Sequence, residues 1–136
     1  MRGADGGPWS RICALPAFWV GILYDEKSMN DAYNLSKNFM DVKILEEART
    51  SSALKGLNGL IGNVQIREIA QEILKISFEG LKRRNYVDKK GIPETQYLDP
   101  LFNIIENGKT AAEELLEKYN NIWSKNINKI FETEGF

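Results

Sequence analysis

The chain has 136 residues, 43% hydrophobic and 27% charged, with a formal net charge of −1. This is the balance of an ordinary globular protein, long enough to bury one modest core. The near-neutral charge supplies no basic footprint for nucleic acid, so no nucleic-acid partner is expected. One cysteine, Cys13, and no histidine exclude an intrachain disulfide, histidine-based zinc sites, Ser-His-Asp triads and histidine pH switches. Any chemistry must run on carboxylates, Arg, Lys, Tyr or backbone groups.

From the start of the chain, residues 3–8 read as a Gly-rich turn with Asp5 at its centre and Pro8 closing it, a residue suited to the first position of a helix. A helix is expected from Trp9 to about Tyr24, bent at Pro16. It is apolar nearly all round and so should be buried on more than one side. Its apolar run, Ile12 to Tyr24, is shorter than the roughly 20 residues of a membrane span. Asp25-Glu26-Lys27 follows where a secretory cleavage site would be. The resulting expectation is a cytoplasmic protein with no membrane partner. Ser28 reads as the N-cap of a second helix, Met29 to about Phe39, with Asp31 in its first turn. A polar stretch with helical propensity, Asp41 to Arg49, leads into a Ser- and Gly-rich loop, Thr50 to Asn63, expected to be flexible.

The clearest helix is expected from Asn63 to about Arg84. Ile66, Ile69, Ala70, Ile73, Leu74 and Leu81 fall on one stripe. Arg67, Gln71, Glu72, Lys75 and Glu79 face away, and Glu79 and Arg83 stand at ion-pair spacing. A turn over Asn85–Gln96 separates it from a helix capped by Asp99 and opened by Pro100, spanning Leu101–Asn107 and stopped by Gly108. Thr110-Ala111-Ala112-Glu113 is a capping box for a helix to Tyr119. A last amphipathic segment carries Trp123, Ile127, Ile130 and Phe131. Five or six helices and no convincing strand make the fold mainly α.

Motif by motif, spacing alone favours structural roles. Gly3, Gly6 and Gly7 match neither the dinucleotide fingerprint nor the P-loop. Arg2 has the fork that clamps a phosphate or carboxylate, although an ordinary surface arginine is the commoner case. Phe18, Trp19 and Tyr24 read as core. Glu46-Glu47 and Glu113-Glu114 read as solvated charge, with Glu114 paired to Lys118, and no metal site is expected. Cys13 reads as a small buried hydrophobe.

The run Met1-Arg2-Gly3-Ala4-Asp5-Gly6-Gly7-Pro8-Trp9, continuing Ile12-Cys13-Ala14-Leu15-Pro16-Ala17-Phe18-Trp19-Val20-Gly21-Ile22-Leu23-Tyr24-Asp25, closely resembles the glutamate–cysteine ligases of the plant and proteobacterial type. Glu79–Arg84, Tyr97–Leu101, Thr110–Tyr119, Trp123 and Phe131 extend the likeness along the whole chain. The resemblance implies a glutamine-synthetase-like α+β parent enzyme with an antiparallel active-site sheet. It also implies ATP and Mg2+ as cofactors, and glutamate, cysteine and ATP as partners. In that chemistry ATP phosphorylates the γ-carboxylate of glutamate, and the cysteine amine attacks the acyl phosphate to give γ-glutamylcysteine, the first step of glutathione synthesis.

In the family pattern a Tyr-Leu-Glu strand leads into the Arg-Gly-Ala-Asp run. Its glutamate would ligate metal, while Arg2 would neutralise phosphate or substrate carboxylate. Where relatives commonly carry a basic residue this chain has Ser10. The expectation is thus a single C-terminal helical portion, 1–136, of a larger catalytic domain, with 1–8 ending the active-site strand and 9–136 helical. Such a portion would be inactive alone and would need the N-terminal catalytic part. The competing expectation is a free-standing helical interaction module without catalysis.

Overall fold

Pro8, with extended backbone angles, precedes the first helix rather than occupying its first position, and its carbonyl accepts the N–H groups of Arg11 (2.8 Å) and Ile12 (3.1 Å). The computed structural model describes residues 7–134. Helix α1 (Trp9–Leu23) contains Pro16, as expected, and α2 (Glu26–Lys37) and α3 (Val42–Lys55) follow. A 3-10 turn at Gly56–Asn58 and a two-stranded hairpin, β1 (Leu60–Ile61) with β2 (Val64–Gln65), lead into α4 (Ile66–Arg84). A second 3-10 turn, Glu94–Leu98, precedes α5 (Asp99–Asn107), α6 (Ala111–Asn121) and α7 (Lys129–Thr133). The described residues are therefore mainly helical, with one hairpin that the sequence reading missed. Each strand is only two residues long, too short for alternation to register.

Helix α4 organises the rest. Leu74 and Leu81 from its apolar stripe join Leu98 and Ile105 to form the core, against which Phe18, Val20, Phe78 and Phe102 pack. Phe78 and Phe102 meet edge-on, with centroids 5.8 Å apart, the arrangement ring quadrupoles prefer. The same stripe also buries Ser77 and Gly80. A β-carbon added at Gly80 would lie 1.8 Å from the Gly21 carbonyl oxygen, and one added at Gly21 would lie 2.3 Å from the Ser77 carbonyl oxygen. Helices α1 and α4 thus touch through backbone. Ser77 Oγ donates to the Phe18 carbonyl (2.8 Å) and Ser28 Oγ to the Ile76 carbonyl (2.9 Å), so neither buried hydroxyl is unpaired.

Several local expectations change. Asp25, not Ser28, caps α2, accepting the Ser28 N–H at 2.7 Å; Ser28 lies inside the helix and is fully buried, and Asp31 lies beyond the first turn. Asp41 caps α3 through the N–H groups of Lys43 and Ile44. That helix runs through Thr50–Lys55, which the sequence reading assigned to a loop. Thr50 Oγ1 and Ser52 Oγ donate back to the Glu46 and Arg49 carbonyls within the helix, while Ser51 Oγ accepts the Leu60 N–H at 2.8 Å, so their loop preference is overridden. Asp99 is the first residue of α5 rather than its cap, with Pro100 following in the first turn and Gly108 closing it in the left-handed region, where the absence of a β-carbon removes the strain.

The capping box of α6 is present in full, Thr110 Oγ1 accepting from Glu113 N–H and Glu113 accepting from Thr110 N–H at 2.7 Å. The Thr110 donors hold the Glu113 carboxyl below its usual range. Thr110→Ala should lower stability by about 1 kcal/mol, read as a shift of the urea midpoint at unchanged slope; an unchanged midpoint would remove the box as a stabilising element.

Candidate functional site

Arg2 and the turn from Gly3 to Gly6 lie outside the described residues. The described chain takes over at Gly7 and Pro8 and delivers them to one end of a groove between the head of α1 and helices α6 and α7. This groove, of ≈ 590 Å³, is lined among others by Gly7, Pro8, Arg11, Glu114, Lys118 and Phe131. Arg11 Nη2 faces Glu114 Oε2 at 3.4 Å, and Lys118 Nζ meets Glu134 Oε1 at 2.6 Å. The expected Glu114–Lys118 pair is therefore replaced by two tertiary pairs. An i,i+4 contact stabilises by only a few tenths of a kcal/mol and yields to a partner brought by the fold. Nothing in a single sequence marks residues so far apart as neighbours. With both cations matched by carboxylates, the groove can order charged groups, but it presents no nucleophile.

Beside it, an apolar groove of ≈ 410 Å³ runs between α1, α4 and α5, lined by Leu15, Phe18, Leu57, Ile73 and Ile104, with Arg11 at its rim. One charged group and otherwise hydrocarbon can hold an apolar surface but cannot move a proton. Cys13 is half-buried and lines a smaller cleft with Pro16, Val20, Glu94 and Tyr97, so its reading as a small buried hydrophobe is only partly met. The aromatic cluster also divides. Phe18 joins the core and stands edge-on to Trp19 at 5.4 Å, whereas Trp19 is 40% exposed and Tyr24 71%. Tyr24 lies 5.6 Å from the Arg84 guanidinium, within reach of cation–π attraction.

The strongest electrostatic feature was not foreseen. Arg83 leaves the expected Glu79 and forks onto Asp25, Nε donating to Oδ2 at 3.0 Å and Nη2 to Oδ1 at 2.7 Å. Glu79 stands 3.9 Å from Lys82 instead. Arg83 Nη2 also donates to Ser28 Oγ at 2.8 Å. The Arg83 guanidinium, with the Ser28 N–H, holds the Asp25 carboxyl well below the usual carboxylate range. A depressed carboxylate in a cleft is a functional-site signal, but here both oxygens are already bonded within the protein, so the group is a joint between α1, α2 and α4. The Asp-x-x-Ser spacing is the local signal that could have identified Asp25 as a cap.

Among the described residues, no three or more of Cys, Asp and Glu gather to hold a metal ion, Glu46-Glu47 and Glu113-Glu114 included. No helix among the described residues is long and apolar enough to cross a membrane.

Residues 1–133 match the family described as Glutamate-cysteine ligase family 2 (GCS2). Among curated proteins, the chain is 39% identical over 132 residues to the chloroplastic glutamate–cysteine ligase of Nicotiana tabacum and 38% identical to that of Arabidopsis thaliana. Each alignment covers 97% of this chain and 24% of the relative. The chloroplastic glutamate–cysteine ligase A of Oryza sativa subsp. indica is 39% identical, with 25% of its length covered. The chain thus spans about a quarter of the length of the relatives it matches. Their chloroplastic naming overturns the cytoplasmic expectation. An organelle address is carried by a transit peptide, whose composition differs from that of secretory and membrane-spanning segments.

Proposed function

The chain belongs to glutamate–cysteine ligase family 2, and from that membership we propose that it is a C-terminal portion of an ATP-dependent glutamate–cysteine ligase. The proposed parent forms γ-glutamylcysteine through a γ-glutamyl phosphate, with glutamate, cysteine and ATP as substrates. The observation that carries this reading is a family match running from residue 1 to 133 while covering only a quarter of each relative.

On this reading residues 1–8 end the active-site strand and its Gly-rich turn, and 9–136 form one helical portion of a larger catalytic domain. Arg2 is the proposed contact to transferring phosphate or substrate carboxylate, since a planar guanidinium binds both in bidentate fashion. Arg2 lies five residues before Gly7, whose groove also carries Arg11 and Lys118, each paired to a carboxylate. On this reading nucleotide and any magnesium are assigned to the portion of the ligase that this chain does not span.

The test is phosphate release with ATP, glutamate, cysteine and magnesium. The 136-residue chain alone should show no turnover. A chimera of the tobacco relative, with its matched quarter replaced by this chain, should show it. Turnover by the isolated chain, or an inactive, correctly folded chimera, overturns the proposal.

A further inference from the structure

Helix α1 has two apolar faces, and the fold uses one. Ala14, Gly21 and Ile22 are buried against the rest of the chain. On the opposite side stand Trp9 (75% exposed), Ile12 (44%), Pro16, Trp19 (40%) and Leu23 (54%). Their successive spacings of three, four, three and four residues form the a/d seam by which one helix inserts side chains into a partner surface. Tyr24, 71% exposed, extends the seam at its end. No charged residue occurs from Ile12 to Tyr24. A continuous apolar stripe of this length on a water-soluble surface marks an interaction site.

We infer that this seam is the surface by which the chain is held against the remainder of the ligase polypeptide; this rests on the reading of the chain as one portion of that enzyme. The occupant follows from two observations. About three quarters of each matched relative lies outside the aligned quarter, so a polypeptide of that length has ample further chain with which to cover the seam. The seam side chains carry no charge, and the charges that border them, Arg84 and Glu94, are paired with each other at 3.3 Å, so an apolar cover fits best. A membrane-surface helix requires a cationic polar face opposite its apolar one, and here the opposite face is packed on α4.

The three tryptophans supply the test, since Trp9 and Trp19 lie on the seam while Trp123 is 5% exposed in the core. Hydroxyl-radical oxidation of the isolated chain should modify Trp9 and Trp19 well above Trp123. In the tobacco chimera both should fall to the level of Trp123. Seam tryptophans that remain as reactive in the chimera as in the isolated chain overturn the assignment. So does protection in the isolated chain that vanishes on dilution, which would place a second copy of the chain on the seam.

An active chimera with reactive tryptophans rejects the seam and keeps the ligase reading; an inactive one with protected tryptophans does the reverse. Should the chimera fail to fold, Trp9→Lys/Leu23→Lys in the isolated chain decides. Reduced binding of a hydrophobic dye at an unchanged melting temperature is expected, because Trp9 and Leu23 are 75% and 54% exposed among the described residues. A clearly lowered melting temperature would show that the chain buries them itself and would overturn the inference.

Discussion

Gly80→Ala should detach α1 from α4 and abolish cooperative unfolding of the isolated chain. The added β-carbon would sit 1.8 Å from the Gly21 carbonyl oxygen and 2.7 Å from Ser28 Oγ. The first neighbour is backbone, which no rotamer change relieves, so the helices must separate. Ordinary overpacking costs about 1–3 kcal/mol. Separation adds the loss of both serine bonds and of the contacts made by Phe18 and Val20, a sum comparable with the roughly 5–15 kcal/mol that holds a whole domain together. Far-ultraviolet dichroism should retain helix while the thermal transition broadens or disappears. Gly62→Ala is the control. Nothing lies within 4 Å of its added carbon, and only the positive φ of 57° is strained, a cost of about 1–2 kcal/mol. A cooperative Gly80→Ala variant as stable as Gly62→Ala would show that the crossing is looser than described.

The second large effect concerns Asp25 and is read against pH. Its carboxyl titrates below its ordinary value in the folded chain and near about 3.9 when unfolded. A depressed folded value means the contribution is fully present above the unfolded value and is lost as pH falls from there toward the folded one. The wild-type melting temperature should therefore hold from pH 7 to about pH 5 and drop below about pH 4. Asp25→Ala removes both the α2 cap and the fork to Arg83. It should cost about 1–2 kcal/mol at neutral pH, with no larger Coulombic share added, because Arg83 is 36% exposed and water screens it. Asp25→Asn keeps a cap-competent side chain while losing the charge, and should fall between the two. The wild-type and Asp25→Ala curves should converge in acid; parallel curves across the range would remove Asp25 as the titrating element.

The parts legible in the sequence were those with local causes. The capping box at Thr110, the proline-opened α5, the stop at Gly108 and the stripe of α4 each arise within a few residues, and each is present. Several of the departures came from distant partners. Ser28 looked like a cap because serine usually is one, but its hydroxyl is drawn inward to the Ile76 carbonyl and Arg83. Glu79 and Glu114 lost their expected partners to side chains that the fold supplies from elsewhere. Gly21 and Gly80 are contact points between α1 and α4, a role that no local pattern marks. At the candidate site, the opening run identified the family through its order of residues, while the pairings of Arg11 and Lys118 depend on α6 and α7 folding back onto α1.

The backbone contact between α1 and α4 also sets how movement at one end of the molecule reaches the other. Helices separated by long side chains can slide past one another as those side chains change rotamer, but a carbonyl lodged against a glycine has no such slack. At about 1.5 Å per residue α1 is roughly 22 Å long. With Gly21 and Phe18 fixed to α4, it can only pivot, as a lever does about its fulcrum. A displacement of Gly7 and Pro8 at its head would then act, through the segment that carries Pro16, on Tyr24 and Asp25 at the other end of the same helix.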